Sequence, residues 1–364
     1  KKVQVAMLRG LMEPWKQIIY FDFDKNMDKA LLTDIITTCQ QYKVVVRAIA
    51  FDMGNHTLIK ELQILSCGKC FMENPTYPEK KIHFCPDCPH CLKRLRDHLL
   101  DHGLKFPDGE GGFDEITKET FEQLIREDKN ELKICPKIKR IHLEVYGSAR
   151  QKVRLAAQLL SETTAKALSF LNDEYENVSE KLLIIDRWFD ASNSRHVDEV
   201  KPLRKPFGFR ENIQIKALKD MEDLMNVMKY ADSESNAKKP FQKGILVNIK
   251  STLALYQEMK EEGYSYLLTS RLNQDALEST FSRLRGIGKA INNYFVSVFF
   301  FLSLDMIYGQ FFLVLVLNSK FLLLNLNTFQ SLIKFYHYFL ILQGYIFSKI
   351  LWKGGGGWLA GKNK

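Results

Sequence analysis

The sequence lacks a P-loop. No GxxxxGK[ST] pattern occurs in its 364 residues, which excludes a nucleotide site of the class in which glycine-rich backbone and a lysine hold the phosphates. A charged and then apolar leader is also missing at Lys1. We therefore expect an internal fragment of a longer protein, with no secretory signal at this end.

Arginine and glutamate are absent from Ile287 onward, where seven lysines accompany one aspartate. The formal net charge of +9 therefore falls to +3 for the residues before Ile287, which is weak evidence for nucleic-acid binding. Local basic clusters are better candidates for phosphate contacts, although such clusters are more often solvated surface. They are Lys137, Lys139 and Arg140; Arg150, Lys152 and Arg154; Lys201, Arg204 and Lys205; Lys238, Lys239 and Lys243.

An uninterrupted apolar span of membrane length is lacking as well. Tyr294 to Leu304 and Ile307 to Leu317 are apolar runs, but Asp305 and Gln310 interrupt any span of about 20 residues. From Tyr294 onward, the most frequent residues are those that A/T-rich codons specify. Translation of an intron or of flanking DNA would give such a composition. We favour a non-native tail over residues 291–364, with a membrane anchor as the alternative.

Seven cysteines do not form the framework of a secreted disulfide protein in a chain this long, so a reducing compartment is expected. Cys67-x2-Cys70 and Cys85-x2-Cys88 have the spacing of a zinc ribbon. The alternative is that Cys85, Cys88 and the nearby Cys91 are small buried hydrophobic residues.

Alternating strand and helix patterns predict an α/β layer with a mixed sheet in residues 1–115. The predicted strands are Val3 to Leu8, Ile18 to Phe23, Val44 to Phe51 and Lys81 to Cys85, and the predicted helices are Asp28 to Gln41, Thr57 to Leu62 and Pro89 to His102. Pro107 to Gly112 reads as a flexible loop. Residues 116–265 show almost no strand pattern and are predicted to be helical. The predicted helices include Ser148 to Asn172, Glu180 to Phe189, Ile213 to Tyr230 and Ile245 to Glu262.

A last amphipathic helix lies in Thr269 to Gly288, within the predicted segment 266–290. Asp275 and Glu278 share one face of it, and like charges at this spacing need a cation or hydrogen-bond donors nearby. Asp52 follows an apolar strand, where α/β folds place ligands. These carboxylates also have simpler interpretations. Asp275 and Glu278 could lie on an exposed acidic helix face, and Asp52 could only form a turn.

Several stretches together resemble the P-element-type transposases, the group that includes the THAP-domain transposases. They are LRGLMEPWKQIIYFDFDKNM, AIAFDMGN with IKEL, PDCPHCLKRLRDHLLDHG, KVRLAAQLLSETTAKAL, RWFDASNSR and NQDALESTFSRLRG. The resemblance runs from about Val3 to Gly288. It implies a ribonuclease-H-like core, interrupted by an all-helical insertion domain that binds GTP.

The resemblance also implies a DDE-type active site for nucleotidyl transfer. Asp52 and Glu278 match the second and third acidic residues, which bind Mg²⁺ for DNA cleavage and joining. The first acidic residue should lie on a strand upstream of Lys1, so we expect no strand cleavage from this chain. Asp87 and His90 match a segment beside the active site and could position metal or cap a helix.

For guanine recognition the resemblance implies Asp190, Asn193 and Asp275, because an aspartate can accept two hydrogen bonds from the guanine edge. Phosphate contacts are expected between Lys137 and Arg154. Asp190 and Asn193 could instead only cap or turn a helix.

The resulting prediction is a fragment of a DNA transposase with GTP and Mg²⁺ as cofactors, acting on transposon ends and target DNA in the nucleus. A homo-oligomer is expected of the full-length family, and a membrane partner is not expected. The alternatives are a non-catalytic nucleic-acid-binding protein with a zinc site, and a protein anchored in a membrane by the apolar tail.

Overall fold

A mixed six-stranded sheet forms the centre of the first half of the molecule. The computed structural model describes residues 3–128, 133–232, 237–290 and 311–317, with only the backbone at 66–67, 284–290 and 311–317. The strands of this sheet are β1 (Val3–Gly10), β2 (Lys16–Phe23), β3 (Val45–Phe51), β4 (Phe71–Glu73), β5 (Lys81–Pro86) and, far along the chain, β9 (Phe311–Leu317). Their order is β2-β1-β9-β3-β5-β4. The prediction of a mixed sheet is confirmed, since β3 pairs in parallel with β5 and β1 pairs antiparallel with β2.

The helices beside this sheet begin and end close to the predicted residues. They are α1 (Lys29–Gln41), α2 (His56–Glu61), α3 (Ile64–Cys67) and α4 (Cys88–His102). The side chain of Asp28 accepts from Leu31 N and caps α1, and the side chain of Asp87 accepts from His90 N and caps α4. The predicted capping role of Asp87 is confirmed.

A second sheet of three strands follows, and the sequence did not predict it. Its order is β7-β6-β8, from β6 (Leu104–Pro107), β7 (Phe113–Ile116) and β8 (Lys229–Tyr230). The predicted loop Pro107 to Gly112 is the hairpin between the first two of these strands. Asp108 Oδ1 accepts from the backbone N–H groups of Glu110 and Gly112, at 2.8 and 2.9 Å, so its carboxylate closes the turn.

The middle of the chain is mostly helical, but the predicted all-helical character of residues 116–265 is wrong, because β8 (Lys229–Tyr230) lies within them and pairs with β6. Its helices are α5 (Lys118–Glu127), α6 (Val153–Leu159), α7 (Glu162–Leu171), α8 (Glu176–Ser192), α9 (Glu211–Val227), α10 (Pro240–Glu261) and, after a short 3-10 turn at Thr269–Leu272, α11 (Asp275–Ala290). The single helix expected over Ser148 to Asn172 is wrong. Ser161 breaks it, because its hydroxyl accepts from Thr164 N and starts a new helix.

Helix α10 packs on the central sheet although it lies near the end of the described chain. Its Asn248 donates through Nδ2 to Pro86 O at 2.8 Å, and Ser251 Oγ donates to Cys70 O at 2.9 Å. Val247 belongs to the apolar cluster on the α1 side of the sheet, whereas its neighbour Ile245 belongs to the larger cluster that joins the sheet to the helical part. This helix therefore ties the two parts together.

Strand β9 comes from the segment predicted to be a non-native tail. It runs parallel to β1 and antiparallel to β3, with Val5 opposite Phe311 and Phe51 opposite Phe312. The rest of residues 291–364 lies outside the described residues. Within the described helices, none combines the length and apolar character needed to cross a membrane.

Candidate active site

Asp52 lies directly after β3, at the edge of the sheet where that strand ends. Its Oδ1 accepts from Gly54 N at 3.0 Å, and a Cβ atom on Gly54 would approach Oδ1 to 3.1 Å. Glycine at this position therefore leaves room for the carboxylate. Burial raises the pKa of Asp52, the charge of Glu278 raises it further, and the charges of Lys93 and His56 lower it.

Glu278 lies one turn into α11, with its side chain exposed. The electrostatic interaction of this residue with Asp52 means that the fold brings together two carboxylates that are far apart in sequence. Like charges held this closely favour a bound cation. The arrangement unites the two residues that the sequence predicted as a pair, although their roles stay predictions.

Asp87 links the three chain segments that build this edge. Its N–H donates to Phe51 O at 2.9 Å, next to Asp52, and its Oδ2 accepts from His90 N at 2.8 Å. Its Oδ1 accepts from Gln274 N at 2.8 Å, at the start of α11. Burial raises the pKa of Asp87, the N–H groups of Gln274 and His90 lower it, and the charges of Glu278 and Asp275 raise it; together they bring this pKa to about 7.

Of the four predicted zinc ligands, the structure describes the side chains of Cys70, Cys85 and Cys88. Cys85, Cys88 and Cys91 are buried, and burial raises the pKa of each thiol, which favours the neutral form over the thiolate that zinc binds. The side chain of Cys67 lies outside the described residues. Over the described part of the chain, no group of three or more His, Cys, Asp or Glu side chains is arranged to hold a metal.

The three residues predicted to contact guanine all have protein partners. Asp190 is buried and accepts from Arg204 Nε at 2.7 Å. Asn193 ends α8, and its Oδ1 accepts from Asn273 Nδ2 at 3.2 Å. Asp275 Oδ2 accepts from Arg195 Nη2 at 2.6 Å. The end of α8 therefore meets the start of α11, which brings two of the three residues into one neighbourhood.

The basic segment expected to contact phosphate contains at least one arginine with a structural role. Arg150 donates to both carboxylate oxygens of Asp101, at 2.8 and 2.6 Å, and to Val145 O at 2.9 Å. These contacts occupy its guanidinium. Sequence reasoning instead missed Arg9 near the end of β1, which is the single arginine of the first quoted stretch, and Arg271, which lies just before the last quoted stretch.

A family and two known proteins match this chain. Residues 89–206 match the family described as TNP-like, GTP-binding insertion domain. The Transposable element P transposase of Drosophila melanogaster is 35% identical over 297 residues, which cover 79% of this chain and 38% of the relative. The solved Drosophila P element transposase strand transfer complex is 30% identical with a TM-score of 0.69, over 78% of this chain and 71% of the solved chain.

The chain belongs to the P element transposase family. It spans 38% of the length of the curated P element transposase. The predicted family is therefore confirmed, as is the presence of a GTP-binding insertion domain. The boundary predicted for that insertion, residues 116–265, stays a prediction beside the matched range of 89–206.

Proposed function

We propose that this chain is part of a DNA transposase that cleaves and joins phosphodiester bonds with Mg²⁺. The observation that supports this proposal most directly is that the charge of Glu278 acts on Asp52, which lies where β3 ends. Membership of the P element transposase family supports it independently. DNA is the proposed partner, the nucleus the proposed location, and a homo-oligomer the proposed state of the full-length protein.

The chemistry of the donors fits magnesium. Two carboxylates supply the hard oxygen ligands that Mg²⁺ prefers, and a bound cation would reduce the repulsion between them. When bound, divalent ions at such a site activate the attacking oxygen and stabilise the leaving oxygen. The residues Asp52 and Glu278 hold them, while Asp87 fixes the start of α11 relative to β3. The first acidic ligand is proposed to come from a strand upstream of Lys1.

Metal binding by the full chain tests this proposal before any activity is sought. Mn²⁺ can replace Mg²⁺ and is visible by electron paramagnetic resonance. We expect Asp52→Asn and Glu278→Gln each to weaken Mn²⁺ binding by about tenfold or more, because each removes a charged ligand. Glu261→Gln is the matched control, since Glu261 is an exposed carboxylate on α10. Equal binding by all four proteins would refute the proposal.

Activity requires a longer protein. We expect the chain extended by the upstream strand to nick transposon-end DNA in the presence of Mg²⁺, and the chain beginning at Lys1 not to do so. The Asp52→Asn variant of the extended protein should lose nicking, whereas its Glu261→Gln variant should retain it. Nicking by the extended protein that persists in Asp52→Asn would contradict the proposed ligand.

GTP is proposed as the nucleotide of the insertion domain, with Asp190, Asn193 and Asp275 recognising guanine. Asp275 is more accessible to a ligand than Asp190, because its side chain is 32% exposed against 7% and its partner Arg195 is half-exposed. Asp190 is instead buried beside Arg204 and Lys201. Guanine must replace an ion pair of Asp190 to reach that carboxylate.

Fluorescence titration with a labelled GTP analogue tests this assignment. Unlabelled GTP should displace the analogue and ATP should not, because adenine lacks the pair of donors that a carboxylate accepts. Asp275→Asn should weaken binding by about tenfold, as expected for loss of a charged hydrogen bond. Asp220→Asn removes a carboxylate from the exposed side of α9 and should have no effect. Displacement by ATP as effective as that by GTP would refute guanine recognition.

A further inference from the structure

Three arginines from separate parts of the chain meet at the start of α11. Arg9 ends β1, Arg195 follows α8, and Arg271 lies in the 3-10 turn that precedes α11. Arg9 and Arg271 are half-buried, and Arg195 is 53% exposed. We call these three side chains the arginine cluster.

Reciprocal hydrogen bonds hold two members of the arginine cluster together. Arg9 Nη1 donates to Ser270 O at 3.0 Å, and Arg271 Nη1 donates to Gly10 O at 3.3 Å. Each guanidinium thus bonds to the backbone beside the other arginine. These contacts hold both side chains where the end of β1 meets the 3-10 turn before α11.

The charges in the arginine cluster are not balanced. Burial lowers the pKa of Arg9, the neighbouring charges of Arg271 and Arg195 lower it further, and Asp275 raises it; together they bring this pKa to about 10. Glu13 is the other carboxylate that acts on the cluster, through Arg271. Three guanidinium groups therefore share two carboxylates, and a bound anion would relieve their repulsion.

The arginine cluster also keeps hydrogen-bond donors available. A guanidinium has five N–H donors. Within the described part of the chain, Arg9, Arg195 and Arg271 each donate through one nitrogen only. Planar guanidinium groups with free N–H donors match the oxygens of a phosphate group, which can bind two donors of one arginine side by side.

We propose that the arginine cluster binds a phosphate group next to the carboxylates Asp52 and Glu278. This assignment rests on the proposed function in taking the phosphate from DNA or from a guanine nucleotide. It replaces the expectation that phosphate contacts lie between Lys137 and Arg154. The location follows from Asp275, which is the partner of Arg195 and lies three residues before Glu278 on α11.

The test compares Arg195→Gln and Arg271→Gln with Arg154→Gln in the full chain. Arg154 is an exposed arginine in the basic segment first expected to contact phosphate, so its loss changes the net charge equally. Binding to labelled duplex DNA and to the labelled GTP analogue is measured separately in EDTA. Metal binding at Asp52 and Glu278 therefore plays no part, and failure of the metal proposal leaves this test unaffected.

We expect Arg195→Gln and Arg271→Gln each to weaken binding of either DNA or the GTP analogue by about tenfold. If the ligand is DNA, each variant should also lower the number of ions released on DNA binding by about one, as measured by the salt dependence of the affinity. Loss confined to DNA identifies a DNA phosphate, and loss confined to the analogue identifies a nucleotide phosphate. Among the described residues, no hydrogen bond or ion pair joins Arg271 to Asp275, which pairs with Arg195, so the Arg271 variant separates lost phosphate binding from altered guanine recognition. Inorganic pyrophosphate should compete with the affected ligand.

Arg195→Lys keeps the charge and should retain binding within about threefold, whereas Arg195→Gln should not. Urea unfolding of each variant identifies those that fail to fold, and Arg195 is exposed enough for its variants to remain folded. Unchanged binding in Arg195→Gln and Arg271→Gln, together with weakened binding in Arg154→Gln, would overturn the proposal.

Discussion

Asp87 shows how a single buried side chain can connect three segments of this fold. Its two carboxylate oxygens accept from two different helix starts, and its N–H donates to the end of β3. A buried carboxylate is costly unless hydrogen bonds satisfy it. The backbone donors of His90 and Gln274 lower its pKa for this reason, but burial outweighs them.

Asp87→Asn should therefore destabilise the protein by about 1–3 kcal/mol. An amide has one oxygen, so it can replace only one of the two accepting atoms and leaves the other backbone N–H facing an NH₂ group. Urea unfolding followed by circular dichroism measures the change. Asp28→Asn is the matched control, because Asp28 accepts only one backbone N–H and asparagine caps helices equally well. Equal losses in both variants would contradict the linking role of Asp87.

The pH dependence of stability has a definite sign at this residue. The pKa of Asp87 is about 7 in the folded protein and about 3.9 in an unfolded chain. The folded state therefore binds the proton more tightly, so protonation of Asp87 adds to the free energy of unfolding. This stabilisation is complete below about pH 4 and is lost as the pH rises through 7. We expect the unfolding free energy of wild type to fall relative to that of Asp87→Asn over this window. Parallel pH profiles would contradict the assignment.

At the scale of elements, α10 depends on a buried ion pair for its position on the sheet. Arg47 on β3 is 1% exposed and contacts Glu258 at 2.9 Å and Glu262 at 2.5 Å. His83 on β5 lies 3.2 Å from the same Glu258 carboxylate. The contacts explain why a helix near the end of the described chain lies against strands near its beginning.

Arg47→Met should destabilise the protein by about 3 kcal/mol, because it removes the buried cation nearest to Glu258 and Glu262, and Lys80 lies farther from Glu262, at 3.7 Å. Hydrogen exchange should also show loss of protection in α10 before the rest of the molecule. Glu261→Gln, on the exposed side of the same helix, should change stability by no more than about 0.5 kcal/mol. A loss below about 1 kcal/mol in Arg47→Met would show that apolar packing alone holds α10.

At the scale of the whole molecule, the central sheet is continuous only because β9 lies between β1 and β3. Since β9 is parallel to β1 and antiparallel to β3, those two strands run in opposite directions. A strand joined to β1 by a tight hairpin would be antiparallel to β1 and thus opposite in direction to β9. We expect an upstream strand joined to β1 by a hairpin to take the place that β9 has beside β1.

Removing residues 291–364 should expose the facing edges of β1 and β3, which promotes association through unpaired strands. We expect the truncated chain to form larger species in light scattering and to lose amide protection in both strands. Adding the upstream strand to the truncated chain should restore a soluble species. A truncated chain that keeps protection in β1 and β3 would show that β9 contributes nothing to the sheet.

The sequence predicted those parts of the fold that local patterns encode. Periodic apolar residues placed α1, α4 and α11 within a few residues, and capping side chains such as Asp28 and Asp87 marked where helices start. The second sheet was missed because its strands are four residues or fewer and pair across a long stretch of chain, as Leu104 does with Tyr230. Ser161 was read as helix interior, since its capping bond is visible only in three dimensions.

For the candidate site, the sequence by itself determined the carboxylates Asp52, Asp275 and Glu278 through the motifs that carry the family resemblance. Tertiary structure alone decided which charges surround them. Asp87 joins the segments, Arg195 pairs with Asp275, and Arg9 meets Arg271 only because β1 and α11 are adjacent in space. Electrostatic interactions depend on distance and burial, which no pattern of residues along the chain encodes.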